Sequence, residues 1–250
     1  MDLQLANRSV LITGATKGIG EALANSFAAE GASLHLVARS EDLLRELAEK
    51  LRSQYRVEVS THAIDLGHPD AAARLVEAAP DVDILINNAG AVPGGTLWQV
   101  DDARWREAWS LKVFGYVALA RAYYPIMKQR GGGVIVNNIG VAGEIFDAKY
   151  ICGSSANASL MAFTRALGGR SLDDGIRVVG VNPGPVDSPR FRKLQKDRGD
   201  SGALNHLPQG RPASIAEIVN AILFMASPLS GYTSGTILTV DGGLSSRDTL

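Results

Sequence analysis

Three glycines near the N-terminus have the spacing of a phosphate-binding turn. Gly14, Gly18 and Gly20 follow the apolar run Ser9–Thr13 and precede a segment with apolar residues at helical spacing. Glycines allow a tight turn from strand to helix and let the backbone approach a pyrophosphate closely. The helix that begins there offers unpaired N–H groups and the positive end of its dipole to an anion. The pattern predicts a dinucleotide site; the alternative is a tight turn that binds no ligand.

The end of the second apolar run indicates which dinucleotide the site would take. NAD-binding domains usually carry an acidic residue about 20 residues beyond the glycines, where it binds the ribose 2′-hydroxyl. This chain has Arg39 there, and Lys17 in the glycine turn adds a second positive charge. A guanidinium pairs well with a 2′-phosphate. The two cations favour NADP, with NAD as a possible cofactor; the alternative is that both are ordinary solvated surface charges.

Seven short runs rich in valine and isoleucine predict the strands of a sheet. They lack strict polar alternation, which is typical of strands buried on both faces of a parallel sheet. Segments with helical spacing lie between them, and this alternation implies right-handed crossovers. We therefore expect one α/β domain over residues 1–250, with a Rossmann-type doubly wound parallel sheet of about seven strands. The predicted strands are Ser9–Thr13, Ser33–Ala38, Val57–Ile64, Ile84–Ile86, Val134–Val136, Val178–Val181 and Thr236–Val240.

One long irregular segment, at about residues 183–213, is rich in glycine, proline and charge. In a compact domain such a segment is usually a lid or a binding loop. Residues 190–198 within it are locally basic. One interpretation is a clamp for an anionic substrate such as a coenzyme A thioester or a phosphorylated carrier. The other is a mobile, solvated helix.

Composition excludes several function classes. The formal net charge is −1, so nothing in the charge balance favours nucleic acid or an acidic membrane surface as a partner. No apolar run approaches the roughly 18 residues of a membrane span, and the N-terminus lacks the pattern of a signal peptide. The only cysteine is Cys152, and the four histidines are scattered, so we expect no metal site. We expect a cytoplasmic protein.

Several motifs taken together resemble the short-chain dehydrogenase/reductase family. The glycine turn with its leading Thr13 is one, and residues 87–90, Asn-Asn-Ala-Gly, after the fourth predicted strand are another. Asp65-Leu66 resembles the family's adenine contact, and residues 183–188 resemble the segment that covers the nicotinamide. The resemblance covers nearly the whole chain and implies a nicotinamide cofactor, a small-molecule substrate and a homotetramer or homodimer. The predicted cofactor-binding residues are Gly14, Thr16, Lys17, Gly18, Ile19, Gly20, Arg39, Asp65, Leu66, Asn87, Ala89, Gly90, Lys112, Pro183, Gly184 and Val186.

The family's chemistry uses Asn, Ser, Tyr and Lys, and this chain departs from the family at all four positions. Trp105 resembles the family's tryptophan seven positions before the asparagine, which places Lys112 at the Asn position. Gly140 begins a run that resembles Ser-Val-Ala-Gly and so stands at the Ser position. Thirteen residues on, Gly153 stands at the Tyr position, and four further on Asn157 stands at the Lys position. The helix that follows then stays in register without a gap.

Two of these changes are reciprocal, which suggests an exchanged pair. Lys112 could return an ammonium to the ribose from the opposite helix, beside Asn157. Tyr150 lies three residues before Gly153, and its hydroxyl could reach the vacated space; aligning Tyr150 itself with the family's tyrosine would need a deletion and an insertion. A nearby ammonium would lower a tyrosine pKa. The alternatives are a solvated or ion-paired Lys112 and a Tyr150 that packs against the lid.

The leading interpretation is an NADP-dependent oxidoreductase that acts on a small carbonyl or alcohol, or on an acyl thioester. Its altered catalytic groups would be Lys112, Tyr150 and Asn157, and Asn137 or Asn138 could supply an amide in place of the missing serine. The alternative is a cofactor-binding sensor or assembly protein without dehydrogenase activity. A third reading is an enzyme that reduces an activated double bond while water delivers the proton. Fold alone does not decide among them.

Overall fold

Seven parallel strands form one sheet in the computed structural model, which describes residues 1–189, 191–192 and 207–247. Their order is β3-β2-β1-β4-β5-β6-β7. The order reverses between β1 and β4, which is the place where open α/β sheets bind ligands outside the carboxyl ends of their strands. The strands are β1 Ser9–Thr13, β2 Ser33–Ala38, β3 Val59–Ala63, β4 Ile84–Asn87, β5 Gly133–Asn138, β6 Ile176–Pro183 and β7 Ile237–Val240.

Helices cover both faces of the sheet. Helices α1, α2 and α7 pack on one face, and α3, α5 and α6 pack on the other. A π-helical turn, Ser110–Phe114, joins α4 to α5 and carries Lys112; such turns occur frequently at functional sites. The helices are α1 Gly18–Ala29, α2 Glu41–Tyr55, α3 Ala71–Ala78, α4 Asp102–Trp109, α5 Gly115–Gln129, α6 Ile151–Ser171 and α7 Ile215–Ala226.

The predicted fold class and its seven strands are confirmed, with differences at the strand ends. β6 is longer at both ends than its valine-rich centre suggested and includes Pro183. Pro183 therefore ends a strand and does not begin the irregular segment. Proline is tolerated at this place because it is the last residue of the strand, and the next residue, Gly184, still donates to the Val240 carbonyl at 3.0 Å.

The two ends of the predicted lid are tied together. Val186 and Ala213 form an isolated parallel bridge. The Ala213 amide donates to the Pro185 carbonyl at 2.8 Å, and the Asp187 amide donates to the Ala213 carbonyl at 2.8 Å. Of the basic segment 190–198, residues 190 and 193–198 lie outside the described residues. The Arg192 guanidinium forms a two-bond ion pair with the Asp187 carboxylate, at 2.7 and 2.9 Å.

Two histidines form a pair across β2 and β3, at the outer edge of the sheet. His35 Nδ1 lies 3.1 Å from His62 Nε2, and the rings are stacked. Burial lowers the pKa of both imidazoles; Asp81 partly opposes this at His35, and His35 lowers the pKa of His62 further. Across the described residues, no group of three His, Cys, Asp or Glu side chains is placed to hold a metal ion. Within the same residues, no helix combines the length and the apolar character needed to cross a membrane.

Candidate cofactor and active site

The glycine turn leaves the first amides of α1 open. Gly14 has φ of +65°, a left-handed conformation that favours glycine. A β-carbon at Gly20 would overlap the Gly14 carbonyl oxygen, whereas one at Gly18 would meet nothing within 4 Å. In the described structure no side chain caps α1, and the residue before it, Lys17, is exposed. The first N–H groups of α1 are therefore available to an anion such as a pyrophosphate.

Thr13 and Asn88 fasten the glycine turn to the end of β4. Thr13 Oγ1 accepts hydrogen bonds from the amides of Asn88 and Ala89, at 2.8 and 3.0 Å, and donates to the Ile86 carbonyl at 3.2 Å. Asn88 Nδ2 in turn donates to the Thr13 carbonyl at 2.9 Å. These bonds fix the segment that ends at Gly90 beside the glycine turn, at the point where the strand order reverses.

The predicted adenosine contacts lie beyond β2 and β3. Arg39 directly follows β2, is exposed and forms no ion pair among the described residues. Lys17 is likewise exposed and unpaired within them. The Asp65 carboxylate accepts the Gly67 amide at 2.9 Å, and Leu66 is buried. Two free cations thus lie at the end of the sheet where the prediction placed a 2′-phosphate.

A chain of buried amides joins β4, β5 and α6. Asn87 Nδ2 donates to Asn137 Oδ1, and Asn137 Nδ2 donates to Thr164 Oγ1, both at 2.9 Å. Asn138 Nδ2 donates to Asn88 Oδ1 at 2.8 Å. The amide nitrogens of Asn137 and Asn138 are therefore engaged within the protein. Each amide nitrogen has a second N–H, so a role for Asn137 or Asn138 in place of the missing serine stays a prediction.

Lys112 points into the protein. Its side chain is 9% exposed, and its Nζ donates to the Ile139 carbonyl at 2.6 Å. Its stem crosses Gly90, where an added β-carbon would lie 3.2 Å from Lys112 Cδ. The solvated alternative for Lys112 is therefore wrong. Its ammonium lies at the carboxyl end of β5, as a group that acts on a bound ribose would need to.

Asn157 approaches the same end of β5 from α6. Its side chain is 3% exposed. A β-carbon at Gly140 would lie only 2.9 Å from Asn157 Nδ2. Because Ile139 directly precedes Gly140, the Lys112 ammonium and the Asn157 amide adjoin one short segment. The two members of the predicted exchanged pair thus converge.

Three buried amide oxygens at the carboxyl end of the sheet have no hydrogen-bond partner among the described residues: those of Asn87, Asn138 and Asn157. Each such group costs roughly 1–3 kcal/mol if it stays unsatisfied. Unsatisfied hydrogen-bond acceptors at one end of a sheet suit a ligand that carries several hydrogen-bond donors. The ribose hydroxyls and carboxamide of a nicotinamide nucleotide are such donors, so the residues present fit this cofactor.

Tyr150 lies at the start of α6, where its ring covers the helix at Gly153. A β-carbon at Gly153 would overlap Cε1 and Cζ of the Tyr150 ring and lie 2.7 Å from its Cδ1. The ring is half-buried in a cluster with Trp105 and Trp109. The phenol thus occupies the space above residue 153, the position that the alignment assigns to the family's tyrosine.

Cys152 also lies in this cluster and is fully buried. The Trp109 indole donates to its carbonyl oxygen at 3.4 Å. Burial raises the pKa of the Cys152 thiol, which therefore stays protonated near neutral pH. This environment is typical of a structural cysteine and not of a nucleophilic one.

Comparisons with known proteins agree with this geometry. A family model described as enoyl-(acyl carrier protein) reductase matches residues 14–245. Galactitol 2-dehydrogenase (L-tagatose-forming) from Cereibacter sphaeroides is 34% identical, over 93% of this chain and 92% of its own length. The 3-oxoacyl-[acyl-carrier-protein] reductase of Escherichia coli strain K12 is 30% identical, over 97% of this chain and 99% of its own. This chain belongs to the short-chain dehydrogenase/reductase family.

A solved structure of the same family shares the whole fold. L-Sorbose reductase from Gluconobacter frateurii, complexed with NADPH and L-sorbose, is 35% identical, with a TM-score of 0.91 and complete coverage of both chains. The family resemblance drawn from the motifs is therefore confirmed, and the relatives named here are dehydrogenases and reductases.

Within this family member, the predicted residues divide into two groups. The pairs Gly90–Lys112 and Gly140–Asn157 lie beyond β4 and β5, and Gly153–Tyr150 lies at the start of α6. Arg39 and Asp65 lie beyond β2 and β3, on the other side of the point where the strand order reverses. Sequence reasoning missed the clamp between Thr13 and Asn88, although both residues belong to the motifs that carried the resemblance. It also missed Thr164, because one threonine in a helix gives no sign of a buried partner.

Proposed function

We infer that this protein is an NADP-dependent oxidoreductase that interconverts a small carbonyl and its alcohol with a rearranged set of catalytic groups. The observation that carries the proposal is that the Lys112 ammonium and the Asn157 amide both lie against residues 139–140, while the Tyr150 ring lies over Gly153 at the start of α6. In the proposal each side chain supplies a group that the family places elsewhere: Lys112 the lysine, Asn157 the asparagine and Tyr150 the tyrosine.

The proposed cofactor contacts use the backbone first and side chains second. The N–H groups of residues 18–20 hold the pyrophosphate, and Arg39 pairs with the 2′-phosphate. Lys112 and Asn157 hold the nicotinamide ribose, and residues 183–186 cover the nicotinamide. NADPH in the L-sorbose reductase complex supports this choice. When bound, the cofactor supplies or accepts a hydride.

Tyr150 would move the proton in this reaction. In the reduction direction its hydroxyl donates a proton to the substrate oxygen as that oxygen gains negative charge. The positive charge of the Lys112 ammonium would stabilise the resulting phenolate. Asn157 Oδ1, which lacks a partner among the described residues, accepts a hydrogen bond from a ribose hydroxyl. The three groups thus divide proton transfer, electrostatic support and positioning.

A turnover scan tests the function and its substrate class. NADPH oxidation would be followed with ketoses, other ketones, aldehydes and 3-ketoacyl and enoyl thioesters, and NADP reduction with polyols. The sugar and acyl-thioester relatives make these the first classes to test. Turnover of a carbonyl or alcohol class supports the proposal. Tight NADPH binding without any turnover would instead support a sensor or assembly protein, and turnover of enoyl thioesters alone would support double-bond reduction.

The cofactor preference has its own test. The dissociation constants of NADP and NAD would be measured by titration under identical salt. Arg39 and Lys17 predict tighter binding of NADP, because each adds attraction to the 2′-phosphate. Tighter binding of NAD would contradict this preference.

We also expect a homotetramer or homodimer. Large apolar side chains are exposed on the π-helical turn, after α7 and on the edge strand β7: Phe114, Tyr232 and Leu238. Surfaces of this kind suit contacts between copies of one chain. Light scattering after size-exclusion chromatography checks this, and a monomer at micromolar concentration would contradict it.

A further inference from the structure

We propose that Gly153 is a positioning residue whose missing side chain forms the slot that holds the Tyr150 phenol. The inference rests on the proposed role of Tyr150 as proton donor and extends it to the residue that makes this role geometrically possible. Gly153 replaces the family's tyrosine in sequence, and the Tyr150 ring replaces it in space. The missing side chain at residue 153 and the position of the Tyr150 ring are then parts of one structural change.

The geometry of the slot is specific to the Tyr150 ring. The three atoms nearest to a β-carbon added at Gly153 all belong to that ring. The backbone of Tyr150 is also held: its amide donates to the Asp147 carbonyl at 2.9 Å, and its carbonyl accepts the Ser154 amide at 2.9 Å. Residue 150 further forms a parallel bridge with Gly95. A side chain at residue 153 would therefore have to displace the ring, because the ring is the movable part.

Two other glycines of α6 have surroundings that differ from those of Gly153. A β-carbon at Gly168 would strike backbone atoms of Gly235 and Val178, so this glycine permits close backbone packing. Gly169 is exposed, and a β-carbon there would meet nothing within 4 Å. Gly153 differs from both because it faces a side chain that could turn away. Its replacement should leave the fold intact and move the phenol.

The other two relocated groups follow the same rule. The Lys112 stem passes Gly90 at 3.2 Å from the place of a β-carbon, and the Asn157 amide lies 2.9 Å from that place at Gly140. Each relocated polar side chain therefore lies against a glycine that leaves room for it. Gly90 belongs to a motif that the family shares, whereas Gly140 and Gly153 stand where the family has other residues. Of the three pairs, Gly153 with Tyr150 is the tightest.

A stability cycle tests the slot without any assumption about activity. Melting temperatures would be measured for Gly153→Ala, Tyr150→Ala and the double variant, with Gly169→Ala as the control on the same helix. Overlap with the ring should make Gly153→Ala lower Tm by about 3–8 °C. In the Tyr150→Ala background the same change should leave Tm equal or raise it, as in Gly169→Ala, because alanine favours helix over glycine. An equal loss of Tm in both backgrounds would overturn the slot. If Gly153→Ala alone does not fold, the comparison of Tyr150→Ala with the double variant still decides, because the slot predicts that the double variant has an equal or higher Tm.

Kinetics then separates the slot from the role of Tyr150. With the substrate found in the turnover scan, Gly153→Ala should lower kcat at least tenfold, change the pH profile and leave the Kd of NADPH nearly unchanged. In a Tyr150→Phe background Gly153→Ala should cause no further loss of kcat. Normal kcat and pH profile in Gly153→Ala, with kcat lost in Tyr150→Phe, would overturn the positioning role. Full activity of Tyr150→Phe would instead refute the proton-donor proposal, and the stability cycle would still report on the slot.

Discussion

The glycine turn and the catalytic edge solve two binding problems by different means. At the glycine turn, backbone amides and the absence of side chains form the site, and its residues follow the family's pattern. At the proposed catalytic edge, beyond β5 and at the start of α6, side chains would form the site, and the motif register predicts another residue at all four of the family's catalytic positions. A backbone site tolerates few rearrangements, whereas a side-chain site can be rebuilt from neighbouring positions if space is made for the new groups.

The sharpest way to break this comparison is to remove one hydroxyl at the catalytic edge. Tyr150→Phe keeps the ring in its place and removes the proposed proton donor. We expect kcat to fall by about 10²–10⁴, the range for loss of general acid–base catalysis, while the Kd of NADPH stays nearly constant. Steady-state kinetics and cofactor titration measure the two effects. Tyr55→Phe, at the end of α2, is the control and should leave both parameters unchanged.

A second test removes the buried ammonium and keeps its stem. Lys112→Met loses the hydrogen bond to the Ile139 carbonyl and the positive charge beside the proposed ribose site. We expect kcat/KM to fall by about 10–100-fold, from the roughly 1.5–3 kcal/mol of a charged hydrogen bond. Lys50→Met, on the exposed face of α2, is the matched control, and equal behaviour of the two variants would contradict the exchanged pair.

The two regions also differ in how far the sequence predicted them. All seven strands and the glycine turn followed from local patterns, because runs rich in valine and isoleucine and a backbone phosphate site each leave a continuous signature. The expectation that every strand is buried on both faces is wrong for the two edge strands, since β3 is mostly exposed and β7 is only partly buried. The sequence alignment indicated that Lys112 and Asn157 could meet. It could not show that the Tyr150 ring lies across Gly153, because that contact depends on the direction of one side chain. Nor could it show that the amide nitrogen of Asn137 donates to Thr164 and that of Asn138 donates to Asn88.

A smaller effect is expected at the far end of the cofactor site. Arg39→Ala removes the exposed cation proposed to pair with the 2′-phosphate. The Kd of NADP should rise about tenfold, and the Kd of NAD should change little, since NAD lacks that phosphate. Isothermal titration of both cofactors measures this, with Arg8→Ala as the control. An equal change in the Kd of NADP and of NAD would show that Arg39 does not contact the 2′-phosphate.

The smallest effect concerns stability at the outer edge, away from the catalytic groups. The folded-state pKa values of His35 and His62 are lowered below their ordinary value near 6.5. Below that pH the unfolded chain binds more protons than the folded one, so the contribution of the pair is complete above about pH 6.5 and is lost as the pH falls. We expect the pair to lower Tm by a few degrees between pH 7.5 and 5.5. His62→Gln should weaken this pH dependence, and an unchanged slope would rule the pair out as its source.

The most direct test of the central claim is a crystal structure of the protein with NADP. The account predicts that Lys112 Nζ and Asn157 Oδ1 both lie within hydrogen-bond distance of the nicotinamide ribose. It also predicts that the Tyr150 hydroxyl lies beside the nicotinamide C4, over Gly153. A complex in which Lys112 bonds only to the protein and the Tyr150 hydroxyl faces away from the nicotinamide would contradict the claim that this site has been rebuilt for catalysis.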